Sequence, residues 1–221
     1  MHDLKLPKEH LSFSQIDLWL RSKETYRKKY YGGVSFATTA AMQFGNDTTL
    51  AMARNEPHVA YIPRYPRFER EMLVVIDGIP VKAAVDSIDD TINKFYEYKT
   101  GKTKWTPNKV AKHLQLDLYS LLLEEEDGFV DDECTLIHIE AENAVKSIEM
   151  DGHVLEGTST EIVLTGNVFE FPRVITKEDR AAMRALVVKV GREIEEDFAA
   201  YKHLYVAAPE VSDFAGELPR L

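Results

Sequence analysis

Apolar side chains recur along this chain first at helical and then at alternating spacing, and the switch follows Pro63 and Pro66. Ser12-x-x-Gln15 has the form of a capping box, and Ile16, Trp19 and Leu20 follow at helical spacing. This predicts a helix through Tyr30, stopped by Gly32-Gly33. A second helix is predicted over about 38–54, before Pro57. Residues 68–77, 80–88 and 93–99 then read as three strands. Asp77-Gly78 is a hairpin-turn signal between the first two, and Asp89, Asp90 and Asn93 mark the second turn. Thr106-Pro107 reads as an N-cap followed by proline at the first helical position. The helix it opens is expected to reach about Glu125, with Gly128 beyond its end and Val110, Leu114, Leu118 and Leu121 as its buried stripe. A strand at about 134–141 follows, then a peripheral β-hairpin region over about 142–175. Thr176 starts a closing helix with Met183, Leu186, Val187, Val190, Ile194, Phe198 and Tyr201 along one side. The tail from Ala207 lacks periodicity and is expected to be loosely ordered.

Composition narrows the class. The chain's 221 residues suffice for one domain with a sizeable core. No apolar run approaches the roughly 18–20 residues of a membrane span, and MHDLKLPKEH has no signal-peptide core. The single cysteine, Cys134, excludes an intrachain disulfide framework and a cysteine-built zinc or iron–sulfur site. The expected setting is cytoplasmic, with no membrane partner.

The formal charge of −10 runs against nucleic-acid binding, but the basic residues cluster. One cluster is Arg21, Lys23, Arg27, Lys28 and Lys29; the other is Lys99, Lys102, Lys104, Lys109 and Lys112. Screening confines each field to about 8–10 Å, so a locally basic cleft on an acidic body still attracts phosphates. Lys102, Lys104, Lys112, Arg27 and Lys28 are the nucleic-acid-binding candidates; the alternative is two ordinary solvated faces.

The chemistry lies in AVDSIDDTINKFYEYKTGKTKW. If the turn at 89–93 closes with Thr91 and Ile92 at its tip, Ile88 faces Phe95 and Asp86 faces Glu97. Directly opposed Cβ atoms are about 4.5–5.5 Å apart, so two carboxylates there repel unless a cation lies between them. Mg²⁺ or Mn²⁺ suits such oxygen ligands. Lys99, two residues after Glu97, emerges on the same face. It then positions or deprotonates an attacking water, or stabilises a negative transition state. Gln115 and Tyr119, four apart, share a helix face with Lys112, where an amide and a phenol orient water or hold a strand's backbone. A one-residue slip would separate the acids, and each short motif alone also fits a solvated surface. Trp105 either stacks a base or packs at a rim; His113 and His138 read as packing or surface residues.

LSFSQIDLWLRSKETYRKKYYGG, AVDSID, EYK and QLDLY, in that order, resemble the PD-(D/E)XK nuclease superfamily, in particular its RecB-type domains and related phage and CRISPR-associated exonucleases. The likeness runs from about residue 11 to 141, and more loosely to 201. It implies a single restriction-endonuclease-like α/β domain over 1–221, with a mixed β-sheet flanked by helices. It also implies that Asp86 and Glu97 bind metal, that Lys99 is catalytic, and that Gln115 and Tyr119 support the site. The implied activity is a divalent-metal-dependent DNA nuclease, an exonuclease in recombination, repair or phage DNA processing. RNA as substrate, a homo-oligomer, and an annealing-protein or helicase partner stay open. The chain departs from the family in FGNDTTLAMA, where a metal-binding histidine is commonly found and none is present. Asp47, or Glu69 or Glu71 on the first strand, is the substitute oxygen ligand to look for. Without that histidine, a DNA-end-binding module with weak or no catalysis is the competing expectation. The iron–sulfur cluster of several relatives is impossible here for lack of cysteines.

Overall fold

Asp77 and Gly78 adopt φ values of 47° and 86° and turn the chain back on itself between β1 (Arg67–Ile76) and β2 (Ile79–Asp89). This is the two-residue hairpin that their sequence demands. In the computed structural model, which describes residues 5–128, 133–150 and 153–205, the hairpin begins a five-stranded sheet of order β1-β2-β3-β4-β5. β3 (Lys94–Gly101) returns antiparallel to β2, through a turn in which the Asp89 carboxylate accepts from the Thr91 backbone at 3.0 Å. Its register pairs Ile88 with Phe95. β4 (Glu133–Met150) lies parallel to β3, and β5 (His153–Val174) pairs antiparallel with β4. A parallel neighbour needs a crossover, here α4 (Pro107–Ala111) and α5 (Leu114–Asp127). The sheet is mixed and flanked by helices, the restriction-endonuclease-like arrangement. The predicted tail from Ala207 lies outside the described residues.

Two cores lie on opposite sheet faces. The larger contains Trp19, Tyr26, Phe95, Leu116 and Val187, and it joins the sheet to α1 (Phe13–Arg21), α2 (Lys23–Tyr30), α5 and α6 (Lys177–Tyr201). The smaller joins Tyr96, Tyr98, Ile137 and Ile139 to Met52 of α3 (Ala40–Ala53) and to Val59 and Ile62. Consecutive residues of β3 thus serve alternate faces. α6 starts with a formed capping box between Thr176 and Asp179. Its Gly191 lies against Ile79, where a Cβ would come within 2.9 Å, so helix and strand approach more closely than alanine permits.

Two predicted helices are each broken once. The first is interrupted at Ser22, extended at φ −161°, whose hydroxyl caps α2 by accepting from the Thr25 backbone. The break lets Trp19 and Tyr26 meet edge to face at 5.1 Å inside the larger core. The Ser12–Gln15 capping box does not form. Gln15 is buried, its amide donates to the His10 carbonyl at 3.0 Å, and its oxygen accepts from the Tyr26 hydroxyl at 3.1 Å. The second break falls between α4 and α5. Arg173 of β5 donates there to the carbonyls of Val110 (3.3 Å) and His113 (3.2 Å) and pairs with Asp117. Of the predicted stripe, Val110, Leu118 and Leu121 are buried, and the break leaves Leu114 39% exposed while Leu116, Leu122 and Leu123 are buried as well.

Candidate active site

The alternation of β2 slips once. Val81, Ala83 and Val85 enter the larger core, and so does Ile88, three residues on. β1 deforms opposite the slip, where Glu69 takes a φ of 52° between the pairs Phe68↔Ser87 and Arg70↔Val85. Asp86 occupies the slip. The β2–β3 pairing ends at Ser87↔Tyr96, and Asp86 Oδ2 accepts from the Tyr98 backbone N–H at 2.7 Å. A side chain therefore supplies what would otherwise be a backbone partner.

Glu97 extends from β3 on the same face as Phe95, is 1% exposed, and faces Asp86. Burial, reinforced by the Asp86 charge and opposed by Lys99, pushes its carboxyl up to about 8. Burial also raises Asp86, against the Tyr98 N–H and Lys99. Glu97 Oε2 is buried and has no hydrogen-bond donor. Lys99 Nζ donates to Glu97 Oε1 and to Gln115 Oε1, the latter at 2.9 Å. Gln115 Nε2 in turn donates to the Tyr119 hydroxyl at 2.5 Å. The α4–α5 break, fastened by Arg173, brings Gln115 into reach of this ammonium. One continuous chain thus runs Asp86, Glu97, Lys99, Gln115, Tyr119.

The arrangement fits a hard cation. Two carboxylates raised by burial, Glu97 further by the Asp86 charge and with an unsatisfied oxygen, are stabilised by a divalent ion more than by a shared proton. Clefts open on two sides. One, of about 430 Å³, has Lys99, Lys102, Trp105 and Lys109 in its walls. The other, of about 410 Å³, lies between Gln115, Tyr119 and the segment around Ser12 and Ser14.

The remaining sequence candidates are placed elsewhere. Asp47 is exposed and bonded by Gln43 at 2.8 Å; Glu71 pairs with Lys82 at 3.0 Å; Glu69 is exposed. Among the described residues no group of three or more histidine, cysteine, aspartate or glutamate side chains converges on one point. A third acidic ligand from these positions is therefore not assembled. Arg27 is bound to Asp197 at 2.5 Å and lies over the Tyr201 ring at 4.5 Å, so its charge fastens α2 to α6. Lys28 pairs with Glu24 at 2.6 Å, and Lys104 with Glu140 at 3.3 Å. Lys102 bonds Asn143 beside the first cleft, and Lys112 is exposed at the end of α4. His113 packs between Phe13 (5.9 Å) and Trp105 (4.9 Å); burial and nearby cations lower it to about 4, so it is neutral. His138 is buried, with Nδ1 3.0 Å from the Lys99 carbonyl. Sequence reading missed Arg173 and Asp117. Both lie in unremarkable polar positions, and nothing local marks them as partners.

A sequence profile described as the PD-(D/E)XK nuclease superfamily matches residues 15–204. The chain belongs to this superfamily. Among solved structures, it is similar to an Eubacterium rectale protein named as a candidate exonuclease, at 14% identity and TM-score 0.48, over 96% of this chain and 89% of that one. It is also similar to SSO0001, at 12% identity and TM-score 0.42, over 83% and 75% of the two chains. No curated protein matches. Asp86, Glu97, Lys99, Gln115 and Tyr119, all within the matched range, form one contiguous cluster of side chains. Among the described residues no helix is long and apolar enough to cross a membrane.

Proposed function

We propose that this PD-(D/E)XK protein is a divalent-metal-dependent DNA nuclease, acting as an exonuclease on linear DNA in recombination, repair or phage DNA processing. The observation that carries the reading is the unsatisfied Glu97 Oε2, facing Asp86 with the Lys99 ammonium alongside. Asp86 and Glu97 would hold Mg²⁺ or Mn²⁺, which when bound activates water and neutralises charge growing on the phosphate. Such ions are commonly held by one or two carboxylates, with waters and substrate phosphate completing the shell. A two-acid site is therefore adequate without a third protein ligand.

The chain's own groups supply the rest. Lys99 is a fixed positive charge at the mouth of the first cleft, suited to a phosphoryl oxygen. Gln115 and Tyr119 hold it from behind, which limits its rotamers and directs the ammonium. Hydrolysis joins a water oxygen to phosphorus and breaks one ester P–O bond, with the proton passing to the departing oxygen. Linear and circular DNA incubated with Mg²⁺, Mn²⁺ or chelator test this. Nucleotides should be released from linear DNA only with a cation, and Lys99→Ala and Asp86→Ala should stop it. Undiminished cleavage by both variants rejects the assignment.

The missing histidine in FGNDTTLAMA and the charge of −10 favour a second reading, a DNA-end-binding module with weak or no catalysis. Calorimetric titration with Mn²⁺ separates the two, since only the nuclease reading needs a cation at Asp86 and Glu97.

A further inference from the structure

The cleft beside Lys99 does not end at the catalytic centre. It shares Phe44 and Ile162 with a second cavity of about 470 Å³ that continues past Tyr61 and His58 along β5. Together they form one groove leading away from Lys99. Its two ends differ. Near the catalytic centre the walls carry Lys99, Lys102 and Lys109; further out they are mainly apolar and aromatic. Phe44 and Tyr61 belong to neither hydrophobic core, and Tyr61 is 42% exposed. Trp105 lies at the edge of the larger core with Lys109 Nζ 4.0 Å from its ring.

Aromatic rings that the core does not absorb, interleaved with ammonium groups next to a phosphate-cutting site, suit one occupant. Single-stranded nucleic acid presents phosphates to the cations and unpaired base faces to the rings. Bases inside a duplex already stack on each other and offer no free face. An apolar peptide would leave the lysines at the catalytic end unmatched. We propose that this groove is a nucleobase-stacking site, with Trp105 and Phe44 as the stacking residues, so that the enzyme takes its strand unpaired. A base on Trp105 displaces the Lys109 ammonium from the ring and turns it toward the strand's phosphate. The inference rests on the nuclease reading for its substrate but assigns a separate set of residues. Lys104 is not part of the set, because Glu140 holds it.

The chain's two tryptophans make the test direct. Trp19 is 1% exposed and its N–H is donated to Glu193, so a fluorescence change on adding oligonucleotide reports Trp105. Binding is read in chelator, where no cleavage occurs, with three probes of equal length: oligothymidylate, the same backbone with abasic residues, and a blunt duplex. Oligothymidylate should quench Trp105 saturably. The abasic strand should bind about a hundredfold more weakly, the scale of two lost stacking contacts, one on each ring. Phe44→Ala should weaken oligothymidylate about tenfold, the scale of one such contact, and leave the abasic strand unchanged. Trp105→Ala should weaken oligothymidylate about tenfold, read by the anisotropy of a labelled strand, and leave the abasic strand unchanged. Equal affinity for oligothymidylate and abasic strand overturns the proposal, as does an equal effect of Phe44→Ala on both, or a duplex that quenches as strongly. A DNA-free dimer in which oligothymidylate fails to quench Trp105 also overturns it. Base-dependent binding with no cleavage after Mn²⁺ addition leaves the groove standing and removes the nuclease reading. Cleavage without base dependence does the reverse.

Discussion

Asp86 accepts the backbone N–H of Tyr98 at 2.7 Å, where β2 and β3 cease to pair. The carboxylate therefore has a structural duty beside its proposed metal-binding one, and two substitutions separate them. Asp86→Asn keeps an oxygen acceptor for Tyr98 but removes the charge. It should lose Mn²⁺ binding and cleavage with little change in Tm. Asp86→Ala should lose both and also about 1–3 kcal/mol of stability, because the Tyr98 N–H is left without a partner. Thermal melts alongside calorimetry distinguish the outcomes; equal Tm values for the two variants contradict the structural duty.

Protons and cations compete for the Asp86–Glu97 pair. With Glu97 pushed up to about 8 by burial and by Asp86, its carboxyl is mostly protonated at neutral pH without a cation. Mn²⁺ affinity should then rise with pH through that range, and binding should release protons, read by calorimetry in buffers of different ionisation enthalpy. The sign for stability is opposite. A raised carboxyl contributes most below its ordinary range, and the contribution is lost as pH climbs toward about 8. Glu97→Gln should flatten that decline in the cation-free protein.

Arg173 positions Gln115 without touching it. Its bonds to the Val110 and His113 carbonyls and to Asp117 hold the α4–α5 break. Burial pushes Asp117 up to about 6, while Arg173 draws it down. Arg173→Met should cost about 3–5 kcal/mol, the usual scale for removing one partner of a buried pair. It should also reduce kcat more than it raises KM, since Lys99 loses a well-placed Gln115. Arg173→Met combined with Asp117→Leu should recover part of the stability and none of the rate. Recovery of the rate would show that the break does not position the site.

The two basic clusters should respond differently to substitution. Lys102→Ala should weaken DNA binding across sequences and lower the salt-dependence slope by about one. Arg27→Ala should leave that slope unchanged and lower Tm. Burial opposes ionisation of Asp197, but bonds from Arg27 and Tyr31 prevail and hold its carboxyl below the usual range. That stabilisation is present above the ordinary carboxylate range and lost as pH falls through the lowered value. In Arg27→Ala the acid-side decline of stability should therefore be shallower, because the bond that holds Asp197 below its ordinary value is gone.

Short-range chemistry made much of this protein legible in its residues alone. Asp77-Gly78, the turn at Asp89, Thr106-Pro107 and Thr176 with Asp179 bound their elements locally, so strand order along the chain, helix starts and the Ile88–Phe95 register could be read without coordinates. The order of Asp86, Glu97, Lys99, Gln115 and Tyr119 carried the family likeness for the same reason. Other features depend on residues far apart in sequence. Ser22 breaks a helix so that Trp19 and Tyr26 can pack together, and His113 breaks another because Arg173 arrives from β5 to take its carbonyl. Asp86 turns toward Tyr98 only because β1 and β2 slip together at Glu69. Arg27 fastens α2 to α6 rather than facing a phosphate because Asp197 lies opposite. No periodicity encodes such contacts; they exist once burial has brought distant groups into range, where an unpaired polar atom is too costly to leave.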